Sequence, residues 1–153
     1  MKIVISIFAL PYEIDELEKT LNQLKVASNY VSNKIEWYID VTLGISPELT
    51  NWKKSSLPYF TDKLLKLSTQ CDWAQKTFQA SNTISGCVSQ RNYSLNKHED
   101  ADYFIWLDTD IIFDERTLVY FESILPIVSE KTDYSIITPE IVRIWDTTWD
   151  SLV

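Results

Sequence analysis

Two carboxylates follow a hydrophobic stretch in the last third of the chain. Residues 102–107 form a predicted buried strand, and Asp108, Thr109 and Asp110 come directly after it. If the extended geometry continues, the i, i+2 spacing turns Asp108 and Asp110 to one side, with Cα atoms roughly 6–7 Å apart. Two charges about 6 Å apart repel by about 3 kcal/mol at an effective dielectric of about 20. A divalent cation, Mg²⁺ or Mn²⁺, would relieve this repulsion. The plainer alternative is that Asp108 caps a turn and Asp110 is solvated.

The composition limits how this region could bind phosphate. The chain has 153 residues with 22 acidic and 14 basic side chains, a formal net charge of −8. This charge argues against a non-specific nucleic-acid binder and against adsorption to an anionic membrane. The only two glycines are Gly44 and Gly86, so no glycine-rich phosphate loop can form. A bound diphosphate would therefore need a cation bridge to the carboxylates.

The segments along the chain alternate between strand and helix patterns. Such alternation forms βαβ units, so we expect an α/β fold with a mostly parallel sheet and helices on both faces. One domain should cover residues 1–153, with ligands at the carboxyl ends of its strands. Val88 and Leu95 are expected to face inward from the third helix, and Asp114 to cap the fourth. The predicted strands are 2–8, 35–43, 73–78, 102–107 and 134–138, and the first three helical patterns are 14–31, 60–67 and 85–97.

The order of motifs resembles the nucleotide-sugar-binding half of the GT-A glycosyltransferases, especially their family 2-like group. Pro11-Tyr12 and an acidic helix start follow the first strand, and Asp40 stands near the end of the second. Ser-Gln-Arg-Asn at 89–92 precedes the hydrophobic strand and Asp-x-Asp at 108–110. The resemblance covers nearly the whole chain. It implies a Rossmann-like GT-A domain, a nucleotide-diphosphate sugar donor, a sugar, lipid or protein acceptor, and a divalent cation (Mn²⁺ or Mg²⁺).

The resemblance assigns three residues to the nucleobase. Pro11 and Tyr12 would line the base slot, with the Tyr12 ring stacked on the base. Asp40 would accept a hydrogen bond from the base. The alternatives are that Tyr12 plugs the sheet edge and that Asp40 is a solvent-facing residue of an alternating strand.

It assigns three more residues to the sugar-diphosphate. Arg91 would reach the base or the diphosphate, which a guanidinium can bind through two parallel hydrogen bonds. Asp108 would meet the ribose or the metal, and Asp110 would hold the metal that bridges both phosphates. The alternative for Arg91 is an ordinary surface position on a helix.

The sequence departs from the family pattern in three places. Glu13 stands where the family has Asn, and Gly44-Ile45-Ser46 replaces the usual Asp-Gly-Ser. No later residue matches the general base, so no catalytic base is assigned, although Trp145 and Trp149 could line a sugar groove. The resemblance thus implies a donor-binding domain that ends before the acceptor half.

Two other functions remain open on the sequence alone. A non-catalytic or degenerate domain could bind a nucleotide-sugar without transferring it. A haloacid-dehalogenase-like phosphatase would use Asp108 as nucleophile and Asp110 as acid. In that class, however, the motif follows the first strand.

The remaining chemistry-bearing side chains have structural explanations. Cys71 and Cys87 lack the spacing of a metal or redox motif, so we expect reduced, buried thiols and a cytoplasmic protein. His98, the only histidine, is expected at a solvated helix end. No stretch reaches the roughly 18 apolar residues of a membrane span.

Overall fold

A computed structural model describes residues 1–46, 56–133 and 135–137. Its elements follow the alternation that the sequence predicts. In chain order they are β1 (Lys2–Ala9), a 3₁₀ turn (Pro11–Glu13), α1 (Ile14–Ser28), β2 (Glu36–Gly44), α2 (Leu57–Gln70), β3 (Gln75–Ser81), α3 (Cys87–Lys97), β4 (Tyr103–Leu107) and α4 (Thr117–Lys131).

The four strands form one parallel sheet in the order β3-β2-β1-β4. The α/β class and the parallel sheet are therefore confirmed. The chain first builds outward from β1 through β2 to β3, and then crosses back to place β4 on the other side of β1. Strands β1 and β4 are therefore neighbours although β4 is the last of the four strands, and their carboxyl ends lie at the same edge of the sheet.

One face of the sheet is apolar and carries α1, α2 and α4. The predicted alternation of β2 is confirmed, because Trp37, Ile39 and Val41 all point into this core. Side chains of β1 do the same, and α1 packs between α2 and α4 above them. Full burial of one such aliphatic side chain contributes about 1.5–3 kcal/mol. The core of this face includes Ile3, Ile5, Ile7, Leu17, Leu21, Leu24, Leu43, Leu64, Leu67, Leu118, Phe121 and Leu125.

The opposite face carries α3, whose inward side is polar. The predicted helix is present, but the expectation that Val88 and Leu95 face inward is wrong, since they are 71% and 41% exposed. Gln90 and Ser94 are the buried residues of α3 instead. Gly86 precedes the helix with φ at +148°, a conformation that L side chains rarely adopt, and so a glycine suits this entry.

The C-terminal part differs from the sequence expectations in three details. β4 is half-buried rather than buried, and no strand pairs with its outer side within the described residues. Asp114 accepts a hydrogen bond from the Arg116 N–H at 2.8 Å. The expected cap is wrong, because α4 begins at Thr117, two residues later than a cap at Asp114 implies. Residues 135–137 have no regular secondary structure, and the rest of the strand predicted at 134–138 lies outside the described residues, as do Trp145 and Trp149.

Candidate functional site

The carboxyl ends of β1 and β4 lie side by side. Ile7 of β1 is the register partner of Leu107, the last residue of β4. Pro11 and Tyr12 follow β1 and Asp108 follows β4, so both motifs lie at the carboxyl ends of these two neighbouring strands. The topology therefore gathers these sequence-predicted residues at one edge of the sheet.

The turn after β1 presents Tyr12 to solvent. Pro11 is buried, whereas the Tyr12 side chain is 70% exposed. The Leu10 N–H donates to the Glu13 carboxylate at 2.7 Å, which closes the turn. Glu13, the departure from the family pattern, thus has a structural role here. The turn holds Tyr12 with its ring accessible for stacking.

The Asp-x-Asp segment is anchored by its middle residue. β4 ends at Leu107 and residues 109–110 form a turn, so the assumption that extended geometry runs through Asp110 is wrong. Thr109 is buried, and its carbonyl accepts a hydrogen bond from the Thr20 hydroxyl of α1 at 2.7 Å. The anchor leaves both flanking carboxylates, Asp108 and Asp110, exposed to solvent.

Arg91 of α3 reaches Asp108 across the surface of β4. Its Nη2 lies 3.6 Å from Asp108 Oδ1, and its Cζ lies 5.7 Å from the centroid of the Trp106 ring. The Trp106 ring stacks on Phe104, with centroids 5.0 Å apart and an interplanar angle of 15°. We call the row Phe104, Trp106 and Arg91 the arginine ladder. It runs along β4 and brings a positive charge to Asp108.

Trp106 was missed by the sequence reasoning, although a signal for it exists. Side chains two residues apart in a strand point to the same face. Phe104 and Trp106 are the register partners of Val4 and Ser6, on the face that α3 covers. The position of Trp106, two residues before Asp108 in the strand, could therefore have indicated a contact with a cation from α3.

A set of buried polar contacts, here called the polar seam, joins α3 to the sheet. Ser6 donates to Gln90 Oε1 at 2.9 Å, and Ser94 donates to Asp40 Oδ2 at 2.8 Å. Lys97 Nζ lies 3.5 Å from the other Asp40 oxygen, and His98 Nε2 lies 3.5 Å from Oδ2. The seam fixes which side of α3 faces the sheet, and with it the side from which Arg91 projects.

Asp40 is placed apart from the site at the carboxyl edge. It lies in the middle of β2 and is fully buried under α3, so the expectations of a strand-end position and of a solvent-facing side chain are both wrong. A carboxylate engaged by Ser94 and Lys97 is not presented to a base. Through these contacts Asp40 holds α3 against the sheet.

His98 also differs from expectation, because it is buried rather than solvated. Its ring centroid lies 4.3 Å from that of Tyr38. Burial lowers the pKa of His98; the nearby Asp40 carboxylate opposes this shift, and Lys97 adds to it. A neutral imidazole is thus favoured beside the polar seam.

The two cysteines take no part in the site. Both are free thiols, and Cys71 is buried as expected, whereas Cys87 is half-buried. Burial raises the pKa of Cys71 to about 11. An unreactive thiol at this position agrees with a packing role.

The carboxylates at the edge fit one kind of cation site only. Within the described residues, no three Asp, Glu, His or Cys side chains come together as a metal cage. Mg²⁺ and Mn²⁺ are commonly held by one or two carboxylates, with water and substrate phosphate completing the shell. Asp108 and Asp110 are exposed carboxylates two positions apart, the number of protein ligands that such a shared arrangement needs. The divalent cation stays a prediction.

No protein-family model, no curated protein and no solved structure matches this chain. The resemblance to the GT-A enzymes therefore depends on the sequence motifs and their order, and it stays a prediction. Among the described residues, no helix is long and apolar enough to cross a bilayer.

Proposed function

We propose that the chain is a GT-A-type glycosyltransferase, or the donor-binding half of one. It binds a nucleotide-diphosphate sugar at the carboxyl ends of β1 and β4, together with a divalent cation. The observation that carries the proposal is the pairing of Arg91 with Asp108 at this edge of the sheet. A guanidinium and a carboxylate meet where a diphosphate and its cation would need them.

Each part of the donor has a suitable group at the same edge. The exposed Tyr12 ring offers a stacking surface for the nucleobase. Arg91 offers parallel N–H donors to phosphate oxygens. Asp108 and Asp110 offer the carboxylate oxygens that a Mg²⁺ or Mn²⁺ ion prefers.

The chemistry follows from charge. Transfer of the sugar leaves negative charge on the departing diphosphate, and a cation held by Asp108 and Asp110 supplies stabilisation for it when bound. Arg91 adds a second, permanent positive charge at that edge. The acceptor would be a hydroxyl of a sugar, lipid or protein, and no residue is assigned as its base.

Calorimetry tests the proposal directly. UDP- and GDP-sugars are titrated with and without Mn²⁺ into the wild type, Asp110→Ala and the control Asp72→Ala. Asp72 is an exposed carboxylate between α2 and β3, at the opposite end of the sheet. We expect Mn²⁺-dependent binding that weakens about tenfold or more in Asp110→Ala, and an unchanged control. Metal-independent binding, or none, would contradict the proposal.

Two outcomes would favour the other functions. Mn²⁺-dependent binding without release of nucleoside diphosphate, in water or with mixed glycan acceptors, would indicate a non-catalytic binding domain. Hydrolysis of an aryl phosphate with Mg²⁺ would indicate a phosphatase instead.

A further inference from the structure

Building on the proposed function, we infer that Arg91 competes with the divalent cation for Asp108. The cation then binds strongly only after a diphosphate has drawn the guanidinium away. Donor and metal would therefore bind cooperatively, and Arg91 would set the degree of cooperativity. Arg91 Nη2 lies 3.6 Å from Asp108 Oδ1, so the guanidinium already occupies the surroundings of this carboxylate.

The pair is close enough to neutralise Asp108 but easy to exchange. A separation of 3.6 Å is longer than a hydrogen bond, so the contact is a Coulombic one. The two side chains are 38% and 62% exposed, which leaves the pair largely screened by water. Exposed ion pairs contribute at most about 1 kcal/mol, or about fivefold in a binding constant. A diphosphate with two or more charged oxygens can bind the guanidinium more strongly than a single carboxylate does.

The arginine ladder keeps Arg91 at the site when it leaves Asp108. Its guanidinium lies over the Trp106 ring, and that ring is backed by Phe104. A cation over an indole face is attracted by the ring even at an exposed site. The neighbouring Gln90 is tied to the sheet through Ser6. Trp106 is therefore a positioning residue, which holds the charge at the edge where phosphate would bind.

The charge count explains why the cation alone should bind weakly. Asp108 and Asp110 supply two negative charges and Arg91 one positive charge, so the three side chains together carry a single net negative charge. The described residues bring no third acidic, His or Cys ligand to the ion. A diphosphate changes both conditions, because it adds oxygen ligands and occupies the guanidinium.

The first experiment measures Mn²⁺ binding without nucleotide, from the EPR signal of free Mn²⁺. The variants are Arg91→Gln, Asp108→Asn, the double variant, and Arg116→Gln as a matched control. Arg116 precedes α4 beside Glu115, whose carboxylate bonds to Tyr30 near the end of α1. We expect Arg91→Gln to bind Mn²⁺ about fivefold more tightly than the wild type, and Arg116→Gln to match the wild type. In the Asp108→Asn background the Arg91 effect should vanish.

The second experiment repeats the titration with saturating UDP or GDP. The nucleotide should raise Mn²⁺ affinity in the wild type by a larger factor than in Arg91→Gln. Trp106→Leu should give a partial increase of Mn²⁺ affinity in the absence of nucleotide, since the Arg91 guanidinium is then less well held beside Asp108. Near-UV circular dichroism verifies that each variant is folded. Because the Arg91 and Asp108 side chains are partly exposed, we expect their substitution to leave the fold intact.

The outcomes separate the two proposals. Mn²⁺ binding that is unchanged or weaker in Arg91→Gln, or undetectable in both it and the wild type, overturns the competition. So does an Arg91 effect that persists without the Asp108 carboxylate. Failure of the wild type to bind any UDP- or GDP-sugar overturns the proposed function, while the nucleotide-free Mn²⁺ result still decides whether Arg91 screens Asp108.

Discussion

On one face of the sheet three helices rest on aliphatic side chains, whereas on the other α3 is held by the polar seam. The apolar face buries Leu17, Leu21 and Leu24 of α1 against the isoleucines of β1. The polar face buries Gln90 and Ser94 of α3 against Ser6 and Asp40. The two faces of one sheet thus use different interactions to attach a helix.

The difference concerns direction as well as strength. Aliphatic contacts are non-directional and scale with the area removed from water. Hydrogen bonds accept only a narrow range of geometries, and a buried polar group that loses its partner is costly. The polar seam should therefore add less stability than the apolar face but define the register of α3 more sharply. Arg91 projects from α3, so this register also places the charge that meets Asp108.

The largest effect should come from the apolar face. Leu21→Ala removes a fully buried side chain of α1, and we expect about 3 kcal/mol loss in the free energy of unfolding. The matched variant is Leu95→Ala on α3, where the side chain is 41% exposed. That variant should lose less than about 1 kcal/mol. Urea denaturation of both variants measures the difference, and equal losses would mean that α3 has an apolar attachment after all.

The next effect comes from the polar seam. Asp40→Asn removes a buried charge that accepts from Ser94 and faces Lys97. We expect a loss of about 2 kcal/mol, the usual range for hydrogen bonds to charged groups. Lys97 is part-exposed and can turn to water, which keeps the loss below that of a fully trapped ion pair. Asp100→Asn is the control, since its ion pair with Lys2 is at the surface.

A double-mutant cycle tells whether the seam acts as one unit. Asp40→Asn and Ser94→Ala should couple by about 1 kcal/mol, because the first removes the charge of the acceptor and the second removes the donor of the same hydrogen bond. Ser6→Ala, which removes the bond to Gln90, should add to Asp40→Asn with a smaller coupling. Strict additivity of Asp40→Asn and Ser94→Ala would show that the charge of Asp40 adds nothing to the hydrogen bond between the two residues.

The same contrast explains what the sequence could predict. The apolar face left a periodic pattern in β1, β2 and α1, so their type and inward sides were predictable from spacing. The polar face shows no such periodic pattern in the sequence, because hydroxyl, amide and carboxylate side chains normally predict a solvent-exposed position. Ser94 and Asp40 are 54 positions apart, and nothing local pairs them. For that reason the predicted inward side of α3 and the predicted solvent exposure of Asp40 were both wrong.

The candidate site was partly predictable for a different reason. Parallel strands bring their carboxyl ends to one edge, so Tyr12 and Asp108 were expected to lie near one another once the alternation was recognised. The contact of Arg91 with Trp106 needed the register of β4 beside β1, which spacing alone does not supply. Thr109 in the turn at 109–110 accepts a hydrogen bond from Thr20, an interaction across 89 positions that no local pattern indicates.

The smallest effect should be the pH dependence that His98 gives to the free energy of unfolding. This imidazole is buried beside Asp40 and Lys97, with Tyr38 against its ring. Burial lowers its pKa in the folded protein, and Lys97 and Lys2 favour the neutral ring further, whereas Asp40 and Asp100 act in the opposite direction. The unfolded chain, with a pKa near 6.5, then binds a proton more readily than the folded protein does.

Stability should consequently be complete above about pH 7 and decline as the pH falls through 6.5 toward the lower folded value, by no more than about 1.4 kcal/mol per pH unit. Urea denaturation between pH 7.5 and 5 measures this, in a range above the usual titration of carboxylates. His98→Gln is the control, because it removes the only histidine of the chain and should flatten the profile. Equal slopes for the two proteins would show that His98 titrates alike in both states. A steeper decline in the wild type would show that the polar face, unlike the apolar one, carries a stability that protons can remove.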